Sequence, residues 1–431
     1  MFKSIVQKIL EHYVKRYLKK HRIHLVVVTG SVGKTSTKIA ISTVLGEKFR
    51  LRTHGGNHNT DLSAPLAILG IEYPKDVHSI KQWRMVFAAA RLRISEEKDV
   101  DVIVQELGTD KPGDVPAFGR YLKPDIAVVT AVGLEHMEFF KTLENVAREE
   151  LAVAKYSQLT VVNRDDVDTR FAKYAETSNV STYGLSDKAE YRIVMEYGVH
   201  LDGIMGRFIT PDWEPMPVNL QLVGEHNVKA AVAAGLVGIK MGMSPEEVAT
   251  GLAKIRPVHG RMNQLRGVNG SILIDDSYNS SPMAVAAALK TVYSLDAPQR
   301  IAILGSMNEF GELSPKAHDA VGKLCDPMKL DWLVTVGKDA ADYLAPAAVQ
   351  KGCQVRSFTT PHEAAGFVHS VVKPEAIVLV KGSQNGVFTE EATKILLRDM
   401  ADQDQLVRQD DHWMKVKQQT FDTIDGNKED T

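Results

Sequence analysis

The feature that most constrains this chain is a β-branched run at residues 25–28 that passes directly into Thr29-Gly30-Ser31-Val32-Gly33-Lys34-Thr35-Ser36. A short apolar run, a glycine-bearing turn and a helical segment in that order make a buried strand feeding a helix, the repeating unit of a parallel sheet. The alternation continues with apolar runs at residues 100–104, 125–130 and 159–162. Over residues 191–223 the runs become short and closely spaced, which predicts an antiparallel patch at the sheet edge. A helical pair at 226–240 and 245–255 closes this block. After Arg256-Pro257 a second series begins, with runs at 272–274, 301–304, 332–336, 355–358 and 377–380. Ser244-Pro245-Glu246-Glu247 and Thr360-Pro361-His362-Glu363 each combine a capping hydroxyl, a proline at the first helical position and a reciprocal glutamate, so each predicts a helix start.

The glycine turn carries chemistry as well as topology. Backbone N–H groups at a helix N-terminus cradle phosphates, with the helix dipole adding to the attraction. Lys34 is placed to neutralise the β- and γ-phosphates of a nucleotide, and the Thr35 hydroxyl to ligate Mg²⁺. Gly30, Ser31, Val32, Gly33 and Ser36 complete the nucleotide-binding loop. Val28 stands where the general phosphate-loop pattern has a glycine, so this is the shortened GxxGKT form. The fold expected is α/β: a central P-loop ATPase-like domain with a mostly parallel sheet at residues 23–257, then a Rossmann-like doubly wound domain at 258–400.

Charge and cysteine content narrow the function. The net charge is −2, so the molecule as a whole lacks the basic field that non-specific nucleic-acid binding needs. Two cysteines, Cys325 and Cys353, form neither a zinc-ligand cluster nor a disulfide framework, and a reducing cytoplasm is expected. No apolar stretch approaches the roughly 20 residues of a membrane span. Residues 1–22 hold seven Lys/Arg against one acid, Glu11, with Phe2, Ile5, Ile9, Tyr13 and Tyr17 at helical spacing. This predicts a basic amphipathic helix that packs on the following domain, with peripheral membrane contact left open. Residues 401–431 carry eight acids and four Lys/Arg, and read as a solvated or disordered polar tail.

The short phosphate loop, Gly56-Asn57-His58-Asn59-Thr60-Asp61 and Glu106-Leu107-Gly108 together resemble the Mur ligase family of peptidoglycan synthesis. The stretches Asp275-Asp276-Ser277-Tyr278-Asn279-Ser280-Ser281-Pro282, Leu304-Gly305-Ser306-Met307-Asn308-Glu309-Phe310-Gly311 and Lys381-Gly382-Ser383 resemble its branch that adds D-alanyl-D-alanine to a muramyl tripeptide. The resemblance spans residues 24 to about 397. It implies an ATP- and Mg²⁺-dependent ligase acting on a muramyl peptide and D-alanyl-D-alanine, expected as a cytoplasmic monomer. Lys34, Glu106, His136, Glu150 and Arg261 are the implied catalytic residues, with Thr35, Glu106, His136 and Glu150 on the metal. Asn227, Arg261, Asp276 and Asn279 are implied at the nucleotide. Asn57, Asn59, Thr60, Asp61, Lys381 and Ser383 are implied at the substrates.

Departures from the family pattern sharpen the questions. Glu150 stands where the family has a carbamylated lysine; it can replace that longer carboxylate, or Glu149 and Glu150 are a solvated helix face. Lys155 is a weaker substitute. Ala230, Ser306 and Gln384 replace an asparagine, an aspartate and an arginine, and His259 replaces a proline in the Pro257-Val258-His259-Gly260-Arg261 hinge. Only about 25 residues precede the phosphate loop, where the family has a domain for the UDP-sugar. The nucleotide-sugar is then held differently, or the carboxylate substrate is another. The alternatives are another Mur-type or folylpolyglutamate synthetase-like ligase, and a non-catalytic nucleotide-binding partner subunit.

Overall fold

The structure, a computed structural model, describes residues 2–56, 58–175 and 179–429, the last five of these by backbone alone. Nine strands form the first sheet: β1 (His24–Thr29), β2 (Leu51–Thr53), β3 (Val102–Glu106), β4 (Ile126–Val129), β5 (Leu159–Asn163), β6 (Asn179–Gly184), β7 (Tyr191–Met195), β8 (Ile204–Ile209) and β9 (Met216–Leu220). Their order is β2-β3-β1-β4-β5-β6-β7-β8-β9, parallel as far as β7 and antiparallel from β7 to β9. The predicted antiparallel edge is therefore present. β1 lies between β3 and β4 and is buried on both faces from Leu25 to Thr29, as parallel strands covered by helices are.

The second sheet has six strands: β10 (Asn263–Arg266), β11 (Ile272–Asp276), β12 (Arg300–Gly305), β13 (Trp332–Val336), β14 (Val355–Phe358) and β15 (Ile377–Lys381). Their order is β10-β11-β15-β12-β13-β14, with only β10 antiparallel. In both sheets the chain reverses its direction of winding, at β1 in the first and around β15 in the second. Ligands of open α/β sheets bind in the crevice beyond the carboxyl ends of strands at such switch points. Both predicted capping boxes form, at Ser244 with Glu247 and at Thr360 with Glu363.

The first helix, Phe2–His21, packs on the first domain through Val6, Leu10, Val14, Tyr17 and His21. Its apolar stripe differs from the expected one: Phe2 and Ile5 face outward, and the buried register is shifted by one residue because the side chains that meet Trp83 and Val86 are Val6 and Leu10. Among the described residues, no helix is long and apolar enough to cross a membrane.

Residues 401–431 were expected to be a solvated or disordered tail, and the structure corrects this. A 3₁₀ turn at Met400–Gln405 leads to the helix Asp411–Glu429. Arg408 and Lys417 are buried and paired with Glu390 (2.7 and 3.0 Å), and Lys417 also reaches Glu391 at 2.5 Å. The composition misled because two of its cations, Arg408 and Lys417, are buried in pairs whose other halves, Glu390 and Glu391, lie on the helix Glu390–Leu396.

Candidate active site

The carboxyl ends of β1, β3 and β4 face those of β11 and β15 across a cavity of about 810 Å³. The phosphate loop forms one wall. Gly30 has φ 124°, and a Cβ there would lie 2.3 Å from the Thr130 hydroxyl, while Gly33 at φ 85° turns the chain into the helix Lys34–Leu45. Only glycine adopts both conformations cheaply, so these two positions fix the loop's tight turn into the helix.

The charged groups of this wall interlock. Lys34 donates to the Gly30 carbonyl at 2.5 Å and stands 3.8 Å from Glu135. The Thr35 hydroxyl donates to Glu106 at 3.0 Å, and Asn59 donates to the other carboxylate oxygen at 3.2 Å. Glu106 is also 3.5 Å from Lys38, which is 2% exposed. Burial works against the charge of Glu106, yet Lys38, Lys34 and Arg261 hold its carboxyl below the ordinary range. Burial likewise opposes the Lys34 ammonium, but Glu135, Glu150 and Glu106 raise its pKa. Burial pushes Glu135 up to about 8, with Lys34 pulling the other way.

The second domain supplies the opposite wall. Arg261, from the hinge, donates to the Thr35 hydroxyl at 3.1 Å and lies 4.2 Å from the centre of the Tyr278 ring. Asp276 and Lys381 are paired at 2.7 Å, and Lys381 also donates to the Asn279 carbonyl at 2.8 Å. His136 meets Glu309 of the second domain at 2.8 Å. Burial lowers the pKa of this histidine, but the hydrogen bond to Glu309 and the charge of Glu135 prevail and raise it.

Most of the expected site residues converge on this cavity: Ser31, Val32, Gly33, Lys34, Thr35, Ser36, Asn59, Thr60, Glu106, His136, Asn227, Arg261, Asp276, Asn279 and Lys381 lie on its wall. Gly30 is not on the wall, but its carbonyl accepts from Lys34, which is. Asp61 lies in an adjoining groove of about 250 Å³, paired with Lys3 at 3.1 Å. Ser383 is 1% exposed and behind the wall, where its hydroxyl accepts from the Asn308 amide at 3.0 Å. Asn57 lies outside the described residues.

Glu150 is neither solvated nor on the cavity wall. It is fully buried below the end of β1, where the Thr29 hydroxyl donates to one carboxylate oxygen while the other has no hydrogen-bond partner. Glu149, also buried, accepts the Gly113 and Val115 amides at 2.9 and 2.8 Å. The solvated-face alternative is thereby excluded for both. Lys155 is exposed and does not line the cavity.

Among the wall or near-wall residues not singled out as site candidates are Lys38, Glu135, Asn308 and Glu309. Lys38 is four residues after Lys34, hence on the same helix face, and that spacing was a usable signal. Asn308 bridges to the carbonyls of Gln384 and Asn385 at 2.7 Å each, a contact between two loops that no local pattern announces.

Residues 28–238 match the family model described as Mur ligase middle domain, and residues 260–384 match the Mur ligase glutamate ligase domain. The UDP-N-acetylmuramoyl-tripeptide–D-alanyl-D-alanine ligase of Bacillus subtilis (strain 168) is 28% identical over 402 residues, 90% of this chain and 79% of that protein. The MurF ligase of Thermotoga maritima, solved in complex with ADP, superposes with a TM-score of 0.75 at 23% identity, covering 92% of this chain and 84% of that one. MurF from Acinetobacter baumannii gives 0.75 at 22% identity, covering 90% and 80%. The two family models divide the chain at the same hinge that brings Arg261 to the phosphate loop, and with both halves matched in order, this chain belongs to the Mur ligase family.

Proposed function

We propose that the chain is an ATP-dependent, ADP-forming ligase that joins the carboxylate of a UDP-N-acetylmuramoyl tripeptide to the amine of D-alanyl-D-alanine, acting as a cytoplasmic monomer. One observation carries the reading: Arg261, from the second domain, and Glu106, from the first, both bond the Thr35 hydroxyl of the phosphate loop. Nucleotide phosphates in that loop would be gripped from both domains at once. The Bacillus subtilis relative bears the name of this activity.

The chemistry follows from the charges. A substrate carboxylate attacks the γ-phosphate, ADP leaves, and the acyl phosphate formed is attacked at its carbonyl by the amine, which expels phosphate. Lys34 neutralises the phosphate oxygens as charge moves onto the leaving ADP, and its raised pKa keeps it charged for that task. A buried threonine hydroxyl 3.0 Å from a buried carboxylate suits a hard cation that takes its other ligands from phosphate and water. Thr35 and Glu106 would thus hold Mg²⁺, with His136 beside a second ion, and the metal would supply further neutralisation of the phosphates. Arg261, stacked on Tyr278, keeps the guanidinium aimed into the cleft. Enclosure between two domains excludes the water that would hydrolyse the acyl phosphate.

The test is phosphate release with ATP, muramyl tripeptide and D-alanyl-D-alanine, together and singly omitted. Release that requires all three, and that falls at least about a hundredfold in Lys34→Ala while thermal unfolding is unchanged, is expected. ATP binding without amine-dependent turnover would instead favour the non-catalytic subunit. Turnover with another amine alone would favour a different ligase.

A further inference from the structure

The helix Phe2–His21 uses one face to pack on the first domain, and beside it lies a second helix, Ile80–Ser95. Val6 clusters with Trp83 and Val86, the Tyr13 and Phe87 rings are 6.2 Å apart, and Lys20 donates to the Ile94 carbonyl at 2.6 Å. Contacts that advance together along both chains mean that the helices run parallel, side by side. Each turns its other face to solvent.

These outward faces are unlike the rest of the surface. The two helices hold ten Lys/Arg and one acid in a chain whose net charge is −2. The acid, Glu11, is turned away into the groove beside Arg120. Lys8, Lys15, Arg16, Lys19, Lys81 and Arg84 are exposed and have no ion-pair partner among the described residues, so these two helices gather six unpaired cations on adjacent elements. Among these cations stand four large apolar side chains, Ile5, Ile80, Met85 and Leu92, between 52% and 64% exposed. Unpaired cations alone would suit any polyanion. Cations interspersed with exposed aliphatic side chains suit a surface that is anionic at its face and hydrocarbon a few ångströms deeper.

We propose that this two-helix face docks on an anionic phospholipid bilayer. The basic side chains sit among the lipid phosphates, and Ile5, Ile80, Met85 and Leu92 enter the boundary with the acyl chains. The ligation cleft lies on the same domain, so the chain would work at the membrane surface without spanning it.

Sedimentation of the full chain with vesicles tests this at physiological ionic strength. Binding to vesicles of equimolar phosphatidylcholine and phosphatidylglycerol, with none to phosphatidylcholine alone, is expected. Neutralising three cations by Lys8→Gln, Arg16→Gln and Arg84→Gln should weaken that binding about a hundredfold, from roughly fivefold per charge. Changing Ile5, Met85 and Leu92 to serine should weaken it at least tenfold. Both variants alter exposed side chains, so unfolding temperature and phosphate release in solution should match the unaltered chain. Equal binding to neutral and anionic vesicles, or none to either, overturns the proposal without recourse to variants. Binding to the anionic vesicles that survives the serine changes and is displaced by duplex RNA would show a general polyanion surface, and would also overturn it.

Discussion

Asp275 shows how a residue's neighbours, more than its type, set its behaviour. It lies on β11 with no exposure, receives one hydrogen bond from Thr393 at 3.3 Å, and has a second carboxylate oxygen with no hydrogen-bond partner. Burial, aided by the charge of Glu390, pushes its pKa up to about 7. The folded protein therefore keeps a proton that the unfolded chain releases near pH 4. This contribution to stability is complete below the unfolded pKa, declines as pH rises, and is gone once pH passes about 7, at roughly 1.4 kcal/mol per pH unit within that window. Asp275→Asn should remove the decline, so urea midpoints of the variant and the unaltered protein should diverge as pH rises from 5 to 8. Parallel midpoints would mean that Asp275 does not titrate in this range. Asp275 was legible as part of a motif, but its protonation depends on Glu390 and Thr393, more than 100 residues away in sequence.

At the scale of elements, the regular parts of the fold follow from local chemistry. The apolar runs became strands, the two capping boxes formed, and the glycine loop turned where Gly30 and Gly33 allow. The carboxyl-terminal helix did not follow. Its sequence is largely polar, and it docks through two kinds of contact: Phe421 packs on His362 and Phe388, and Lys417, 2% exposed, meets Glu390 and Glu391 at 3.0 and 2.5 Å and the Arg408 carbonyl at 2.8 Å. Removing one partner of such a buried cluster strands the other charges. Lys417→Ala should lower the unfolding free energy by about 3–5 kcal/mol, read from urea denaturation. A loss under about 1 kcal/mol would indicate a cluster open to water. Arg408 links this helix to the cleft, since its guanidinium donates to the carbonyls of Ser277 and Tyr278 at 2.8 and 3.0 Å, directly beneath the ring on which Arg261 stacks.

At the scale of the whole molecule, function depends on how the two domains meet. Arg261 reaches Thr35, and Glu309 reaches His136 at 2.8 Å across the cleft. Glu309→Ala removes the second contact without touching the phosphate loop. It should lower kcat for phosphate release while leaving nucleotide affinity, measured by titration with a fluorescent ATP analogue, within about threefold. Loss of nucleotide affinity instead would place Glu309 at the nucleotide and not at domain closure.

The sequence alone determined the α/β class, most of the strands of both sheets, the phosphate loop and the motifs that line the cleft, because these depend on periodicity, turn geometry and short runs of residues that are neighbours in the chain; the short strands Leu51–Thr53, Asn179–Gly184 and Asn263–Arg266 carried too little apolar pattern to show. Only the tertiary structure decided which of those residues meet. Lys38 joins Glu106, Glu309 joins His136, and Ser383 withdraws behind the wall to hold Asn308. Glu150 sinks below β1 with one oxygen unpartnered, and the polar tail becomes a packed helix. Each of these outcomes is a pairing of charges or hydrogen-bonding groups distant in sequence. The cost of burying such a group depends entirely on its partner, which no local pattern identifies.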